Sequence, residues 1–174
     1  MKFMNLSTDR LQLKLISHED VDFIFDHFRD ESVNAYLYDA EPFKSIEEAN
    51  EIIDFYVKGE PRLQSRWIMI TKEGGEKIGT CGFHNWNKSS GLMEIGYDMK
   101  KTYWDQGFMT EALEAILSFA KVKMHIKTVN AHIFVGNASS IRLVEKLGFQ
   151  RKGSYNEVYL GEEYPHWVYS KTLV

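Results

Sequence analysis

The sequence predicts one α/β (or α+β) domain in which helices cover a mixed, mostly antiparallel sheet. Three observations predict it. Apolar residues recur at every second position in some segments and every third or fourth in others, so strands and helices are interspersed. Short polar or glycine-bearing turns join successive strand segments, which marks antiparallel hairpins. No internal repeat, low-complexity tract or linker divides the 174 residues, so residues 1–174 read as a single domain able to bury a core without disulfides.

The elements follow in order. Leu11, Leu13 and Leu15 alternate with Gln12 and Lys14 as a half-buried strand. Ser17 can cap a helix with apolar positions at Val21, Ile24, Phe25 and Phe28. A short helical piece covers Ser32 to Leu37, and Tyr38 to Lys44 is a loop holding Pro42. Ser45 and Glu48 form a capping box for a helix over Ile46 to Val57, which Gly59 and Pro61 end. Trp67 to Lys72, a Gly74–Gly75 turn and Lys77 to Trp86 form a hairpin. Asn87 to Gly91 turns the chain into a third strand, Leu92 to Met99. A long helix then lines up Met109, Ala112, Leu113, Ile116, Leu117, Ala120 and Met124. Thr128 to Val135 is a strand, and Ala138 to Leu147 is a helix with Gly148 as its C′ residue. Phe149 to Tyr159 and Trp167 to Leu173 are strands around a turn at Gly161 to Glu163.

Composition narrows the function. A formal net charge of −4 gives no general attraction to nucleic acid or anionic membranes. The lone Cys81 excludes an intramolecular disulfide and fits a reducing compartment. The first ten residues lack the apolar core of a secretory signal, and no apolar run spans a bilayer; the expected location is the cytoplasm. The histidines show no metal-ligand spacing, so no metal is expected. Cys81 and His84, three apart on a strand, point to opposite faces, and Cys81 reads as a small apolar residue of the sheet.

The stretch Tyr103-Trp-Asp-Gln-Gly-Phe-Met-Thr-Glu-Ala-Leu113 raises the sharpest question. One glycine precedes a helix start, where free N–H groups and the positive end of a dipole collect. No lysine follows Gly107, so this is no P-loop, and one glycine is too few for a dinucleotide fingerprint. A turn holding a pyrophosphate by backbone N–H groups fits. So, on local pattern alone, does a glycine serving only helix entry.

Motifs in a fixed order separate the two. Glu94-Ile-Gly-Tyr97, the Tyr103 to Ala112 stretch and Asn137-Ala-Ser-Ser-Ile-Arg-Leu-Val-Glu-Lys-Leu-Gly-Phe149 resemble the GNAT N-acetyltransferase superfamily across nearly the whole chain. Thr8-Asp-Arg-Leu-Gln-Leu13 and the Tyr103–Trp104 entry to the turn resemble its RimJ/RimL-type ribosomal-protein N-acetyltransferases. The resemblance implies a GNAT fold whose sheet splays at the site of acetyl-coenzyme A. It implies pyrophosphate contacts from the backbone of Asp105, Gln106, Gly107, Phe108, Met109 and Thr110. Main-chain groups of Tyr97, Asp98 and Met99 would meet the pantetheine arm and acetyl carbonyl, and Asn137 would also touch the cofactor. Trp104 and Met109 depart from the family pattern, which has Gln or Arg and Gly or Ala there.

Acetyl transfer needs a neutral amine. An α-amine of pKa ~8 is roughly a tenth neutral at pH 7, whereas a lysine-like amine of pKa ~10.4 needs a committed base. His84, on the strand before the splayed one, is the first candidate base, and Glu94 the second. Val144 stands where many GNAT enzymes have a tyrosine acid, and Ser140 matches a serine of RimL-type members. Ser140 as proton donor and Ser140 as helix cap both fit. The aromatic group Tyr155, Tyr159, Tyr164, His166 and Trp167 fits strand packing or an acceptor lining. The expected activity is N-acetylation of a primary amine, on a protein N-terminus or a small molecule, by direct transfer in a ternary complex. The rival is a non-catalytic acyl-CoA-binding module; an RNA-binding role is opposed by the net acidity. Strand edges and aromatic surfaces are compatible with a homodimer.

Overall fold

A computed structural model describes residues 3–59 and 62–173. The chain begins with a two-residue strand, β1 (Leu6–Ser7), and β2 (Leu11–Leu15). Helices α1 (Val21–Arg29), α2 (Glu31–Asn34) and α3 (Ile46–Val57) follow. Then come β3 (Ser65–Thr71), β4 (Lys77–Asn87), β5 (Leu92–Met99), α4 (Phe108–Met124), β6 (Thr128–Phe134), α5 (Ala138–Lys146), β7 (Gln150–Tyr159) and β8 (Glu162–Thr172). The strands form one sheet in the order β1-β2-β3-β4-β5-β6-β8-β7.

Local chemistry explains most boundaries. Glu48 reaches back to the Ser45 N–H at 2.9 Å, as the capping box requires. Gly148 closes α5 with φ +84°, a left-handed value that favours glycine. Three expectations need correction. Ser17 leads first into a 3-10 turn, His18–Asp20, before α1 begins. The expected helical piece from Ser32 shrinks to α2, capped by Asp30, which accepts from the Ser32 N–H at 2.8 Å. The last hairpin turns at Leu160–Gly161, both at positive φ, so Glu162 and Glu163 already belong to β8. Pro61 lies outside the described residues.

Two clusters sandwich the sheet. Leu113, Ile116 and Ala120 of α4 pack with Trp67, Phe83, Met93 and Val129 of the strands. Cys81 is fully buried there, and burial pushes its thiol pKa up, so it is a small apolar residue as expected. Ile24 and Ile53 pack with Ile68 on the opposite face. Each such fully buried aliphatic side chain contributes ~1.5–3 kcal/mol.

One irregularity positions everything that follows. β5 and β6 are parallel and pair over three positions only, from Leu92↔Thr128 to Glu94↔Asn130. Beyond Glu94, β5 stays with β4 while β6 stays with β8. The sheet therefore opens as a wedge between Ile95–Met99 and 131–134.

Candidate active site

The Lys100 N–H donates to the Ile78 carbonyl of β4 at 2.8 Å. Strand alternation then turns the Asp98 peptide groups toward β4 as well, and those of Tyr97 and Met99 into the wedge. The Met99 carbonyl is taken by the Trp104 indole N–H at 2.8 Å, which ties the strand end to the turn. Of the three expected residues, Tyr97 and Met99 thus present main chain to the wedge. Asp98 contributes differently, through its buried carboxylate. That group accepts from Thr80 and Arg66 and stands 2.6 Å from His27 Nε2. Burial pushes its pKa up, but His27, Arg66 and Thr80 together hold it below the usual carboxylate range.

The turn after β5 is left-handed twice, at Asp105 (φ +58°) and Gly107 (φ +80°). It delivers the N-terminus of α4, seventeen residues long and without a side-chain cap, to the mouth of the wedge. The N–H groups of Phe108, Met109 and Thr110 are its open donors. Asp105, Gly107, Met109 and Thr110 line a cleft of about 430 Å³ with Tyr97, Asn137 and Ser140. The side chains of Gln106 and Phe108 turn elsewhere: Gln106 donates to the Thr102 carbonyl, and Phe108 packs under Arg10 at 4.3 Å. Met109 is buried and packs with the core cluster while also lining the cleft. Arg142 and Lys146 of α5 add positive charge to the same cleft.

Sequence reasoning missed what holds this turn. Arg10 donates from Nε to Glu111 at 2.7 Å and from Nη1 to the Gln106 carbonyl at 3.0 Å, while Thr8 donates to the same Glu111. Burial opposes ionisation of Glu111, but Thr8 and Arg10 hold its carboxyl below the usual range. The Thr8-Asp-Arg10 segment is thus a strap on the first turn of α4. Its partner lies about a hundred residues away, beyond any local pattern.

Asn137 caps α5, its side-chain oxygen accepting from the Ser140 N–H at 3.1 Å. The Ser140 hydroxyl is thereby left for another role. It meets the Tyr97 hydroxyl across the wedge at 2.5 Å. Burial pushes the Tyr97 phenol pKa up to about 12, so it remains a proton carrier at neutral pH. Val144 is buried in the core and offers no acid.

A second cavity, about 700 Å³, opens on the other side of Tyr97, Asn137 and Ser140. His84 and Glu94 both line it, paired directly across β4 and β5, with His84 Nε2 3.2 Å from Glu94. Asn85 also donates to Glu94, at 2.9 Å. The His84 hydrogen bond, against the cost of burial and with help from Asn85 and His132, holds the Glu94 carboxyl below its usual range. An ionised Glu94 only accepts, so His84 donates to it from Nε2, and in the neutral ring this leaves Nδ1 as the unprotonated nitrogen. Gly96 leaves room beside that nitrogen: a Cβ there would stand 3.8 Å from Nδ1. His132, which the sequence did not single out, lies 4.0 Å from Glu94 and 3.3 Å from the Tyr155 hydroxyl. Tyr155 and His166 line this cavity, whereas Trp167 packs beneath Arg151. Among the described residues no group of three His, Cys, Asp or Glu could hold a metal, and no helix is long and apolar enough to cross a membrane.

A wedged sheet, a left-handed turn and an open helix N-terminus define a class of acyl-transferring domains, and comparison with known proteins agrees. Residues 10–150 match the acetyltransferase (GNAT) domain family. The uncharacterized N-acetyltransferase YoaA of Bacillus subtilis (strain 168) is 33% identical over 171 residues, 97% of this chain and 96% of its own. The uncharacterized N-acetyltransferase p20 of Bacillus licheniformis is 32% identical over 152 residues, 85% of this chain and 83% of its own. The crystal structure of a GNAT-family acetyltransferase from Bacillus anthracis superposes with TM-score 0.84 over 98% of this chain and 99% of that one, at 20% identity. The chain belongs to the GNAT acetyltransferase family.

Proposed function

We propose that the protein transfers the acetyl group of acetyl-coenzyme A to a primary amine directly, within a ternary complex. The observation that carries this reading is the meeting of two cavities at Tyr97, Asn137 and Ser140. One is lined by open backbone donors, the other by a histidine with an orienting carboxylate.

The residues present fit the cofactor. The uncapped N–H groups of 108–110, flanked by Arg142 and Lys146, suit a pyrophosphate. The wedge-facing peptide groups of Tyr97 and Met99 suit an amide-bearing arm and a developing oxyanion. When bound, acetyl-coenzyme A supplies an acetyl thioester, whose C–S bond breaks as the N–C bond to the amine forms. His84 Nδ1 takes the proton that the amine nitrogen loses. Glu94 fixes the tautomer and steadies the imidazolium; its lowered pKa makes it the orienting partner, not the base. Tyr97 donating to Ser140 leaves the Ser140 proton for the departing sulfur, the role that a helix tyrosine at position 144 would otherwise fill.

The acceptor is a small-molecule amine or a protein α-amine. The Thr8–Leu13 opening and the Tyr103–Trp104 entry support a RimJ/RimL-type lineage, which bears on descent and leaves both acceptors open. The test is steady-state thiol release with acetyl-coenzyme A and a panel of amines and N-terminal peptides, beside thermal unfolding with acetyl-coenzyme A, ATP and NAD. Selective stabilisation by acetyl-coenzyme A with amine-dependent thiol release is expected. Stabilisation without thiol release from any acceptor would leave a non-catalytic acyl-CoA-binding module.

A further inference from the structure

The acceptor cavity is unbalanced in charge. Besides the buried Asp98, it is lined by Asp39 and Glu41 from the loop after α2, Glu94 from β5 and Glu157 from β7. Among the described residues Arg66 is its one lining lysine or arginine, and that guanidinium is already bound to Asp98 and Thr80. Glu41 is paired with Lys44. Glu94 sits between His84 and His132. Asp39 and Glu157 have no side-chain hydrogen bond or ion pair among the described residues.

These carboxylates converge. Burial first, and then the charges of Glu157, Glu94 and Asp39, push the Tyr155 phenol pKa up. So three carboxylates from three elements act on one hydroxyl. Aromatic faces fill the wall beside them. Tyr38 stacks on Tyr164 at 4.0 Å and meets Phe134 at 4.6 Å, and Tyr155 stacks on His166 at 5.4 Å. Carboxylates beside aromatic faces suit an alkylammonium, and they repel an acceptor bearing its own carboxylate.

The cavity is not defined by its acids. It is defined by continuity with the cofactor cleft through Tyr97, Asn137 and Ser140. The acids set what it accepts. Glu94 is paired with His84 across β4 and β5, whereas Asp39 is exposed on its loop and Glu157 half-buried on β7.

We propose that the acceptor is a small α,ω-diamine: one amine meets His84, and the second stays an ammonium held by Asp39 and Glu157 against the aromatic wall. The proposal rests on the acetyl-transfer reading. The far ammonium keeps its proton and charge throughout, so its role is recognition alone.

The test is calorimetric binding of 1,4-diaminobutane, butylamine and 4-aminobutanoate in the presence of coenzyme A, with thiol release measured in parallel. Wild type and an Asp39→Asn/Glu157→Gln double variant are compared, each with its thermal midpoint. The diamine is expected to bind at least about tenfold more tightly than butylamine, with 4-aminobutanoate weakest, and added salt should narrow the gap. In the double variant the ratio of diamine to butylamine affinity should fall to near one. Equal binding of diamine and butylamine by the wild type would overturn the proposal, as would an undiminished preference in a folded double variant. Diamine-selective binding without thiol release would uphold the diamine site and overturn the acetyl-transfer reading, and with it the diamine's role as acceptor. Thiol release that favours butylamine and 4-aminobutanoate as much as the diamine would do the reverse.

Discussion

The two cavities meet at six described residues, Tyr36, Leu37, Tyr97, Asp98, Asn137 and Ser140, but are built on opposite plans. The cleft proposed for the cofactor relies chiefly on backbone: the wedge edge at Tyr97 and Met99, the left-handed turn and the first N–H groups of α4. The cavity proposed for the acceptor is lined from α1, α2, α3, α5, the loop after α2 and strands β3 to β8, and relies on their side chains. A backbone site survives substitution so long as the chain path survives. Met109 stands where the family pattern has a glycine or alanine, and its side chain is taken up by the core cluster. Trp104 replaces a glutamine or arginine and turns its indole N–H to the Met99 carbonyl. A side-chain site has no such tolerance, so acceptor choice is where relatives on this fold are free to diverge.

Substitutions can break or sharpen that contrast, and His84→Gln should have the largest effect. Removal of a general base lowers turnover by ~10²–10⁴-fold; acetyl-coenzyme A affinity, measured by calorimetry, should not move. Loss of cofactor affinity in step with turnover would show that the cavities are not separable. Next is Asp98→Asn, on the strand both cavities share. Breaking a buried charge network costs ~3–5 kcal/mol, so the urea midpoint should fall and both cavities suffer. The folded pKa of Asp98 is lowered, so its stabilisation is complete above the unfolded value of ~4 and disappears as pH falls through the lower folded value. The Asn variant should therefore show a flatter stability profile below about pH 4. An unchanged acid profile would mean that Asp98 is not the linked group.

Gly107→Ala comes third. A side chain in the left-handed region costs ~1–2 kcal/mol, and its Cβ would come within 3.3 Å of Arg10 Nη2. Acetyl-coenzyme A should bind about tenfold more weakly, with diamine binding unaffected; a Kd equal to wild type would argue against the turn as the phosphate site. The smallest effect belongs to Trp104→Phe, which deletes one hydrogen bond worth ~1 kcal/mol. A several-fold rise in the cofactor Kd with an unchanged acceptor KM is expected. A shift in acceptor KM instead would place Trp104 with the other cavity.

The same contrast governs what could be read from residues alone. β5, α3 and the core face of α4 were legible because their periodicity and caps are local. The wedge and turn were legible through family resemblance, since spacing encodes chain path. His84 and Glu94 were visible as residue types, but their direct pairing depends on the β4–β5 register. Asp39, His132, Tyr155 and Glu157 were not legible as one wall, because only the sheet order β5-β6-β8-β7 puts β6 and β7 on the same side of β5, around a cavity shared with the loop after α2. The Arg10–Glu111 strap was hidden for the same reason. The last hairpin was misplaced because glutamates at a turn look alike whether they lead it or follow it.

The wedge also makes the sheet a structure with a strand missing. β1–β5 and β6–β8 share three residue pairs, and beyond them their edges face one another unpaired. An extended, amide-bearing ligand laid between those edges becomes a surrogate strand and cross-braces the two halves. Isotope exchange should register this directly: the Tyr97 and Met99 amides exchange readily in the free protein and become protected when the gap is filled, so the ligand serves as a removable piece of secondary structure.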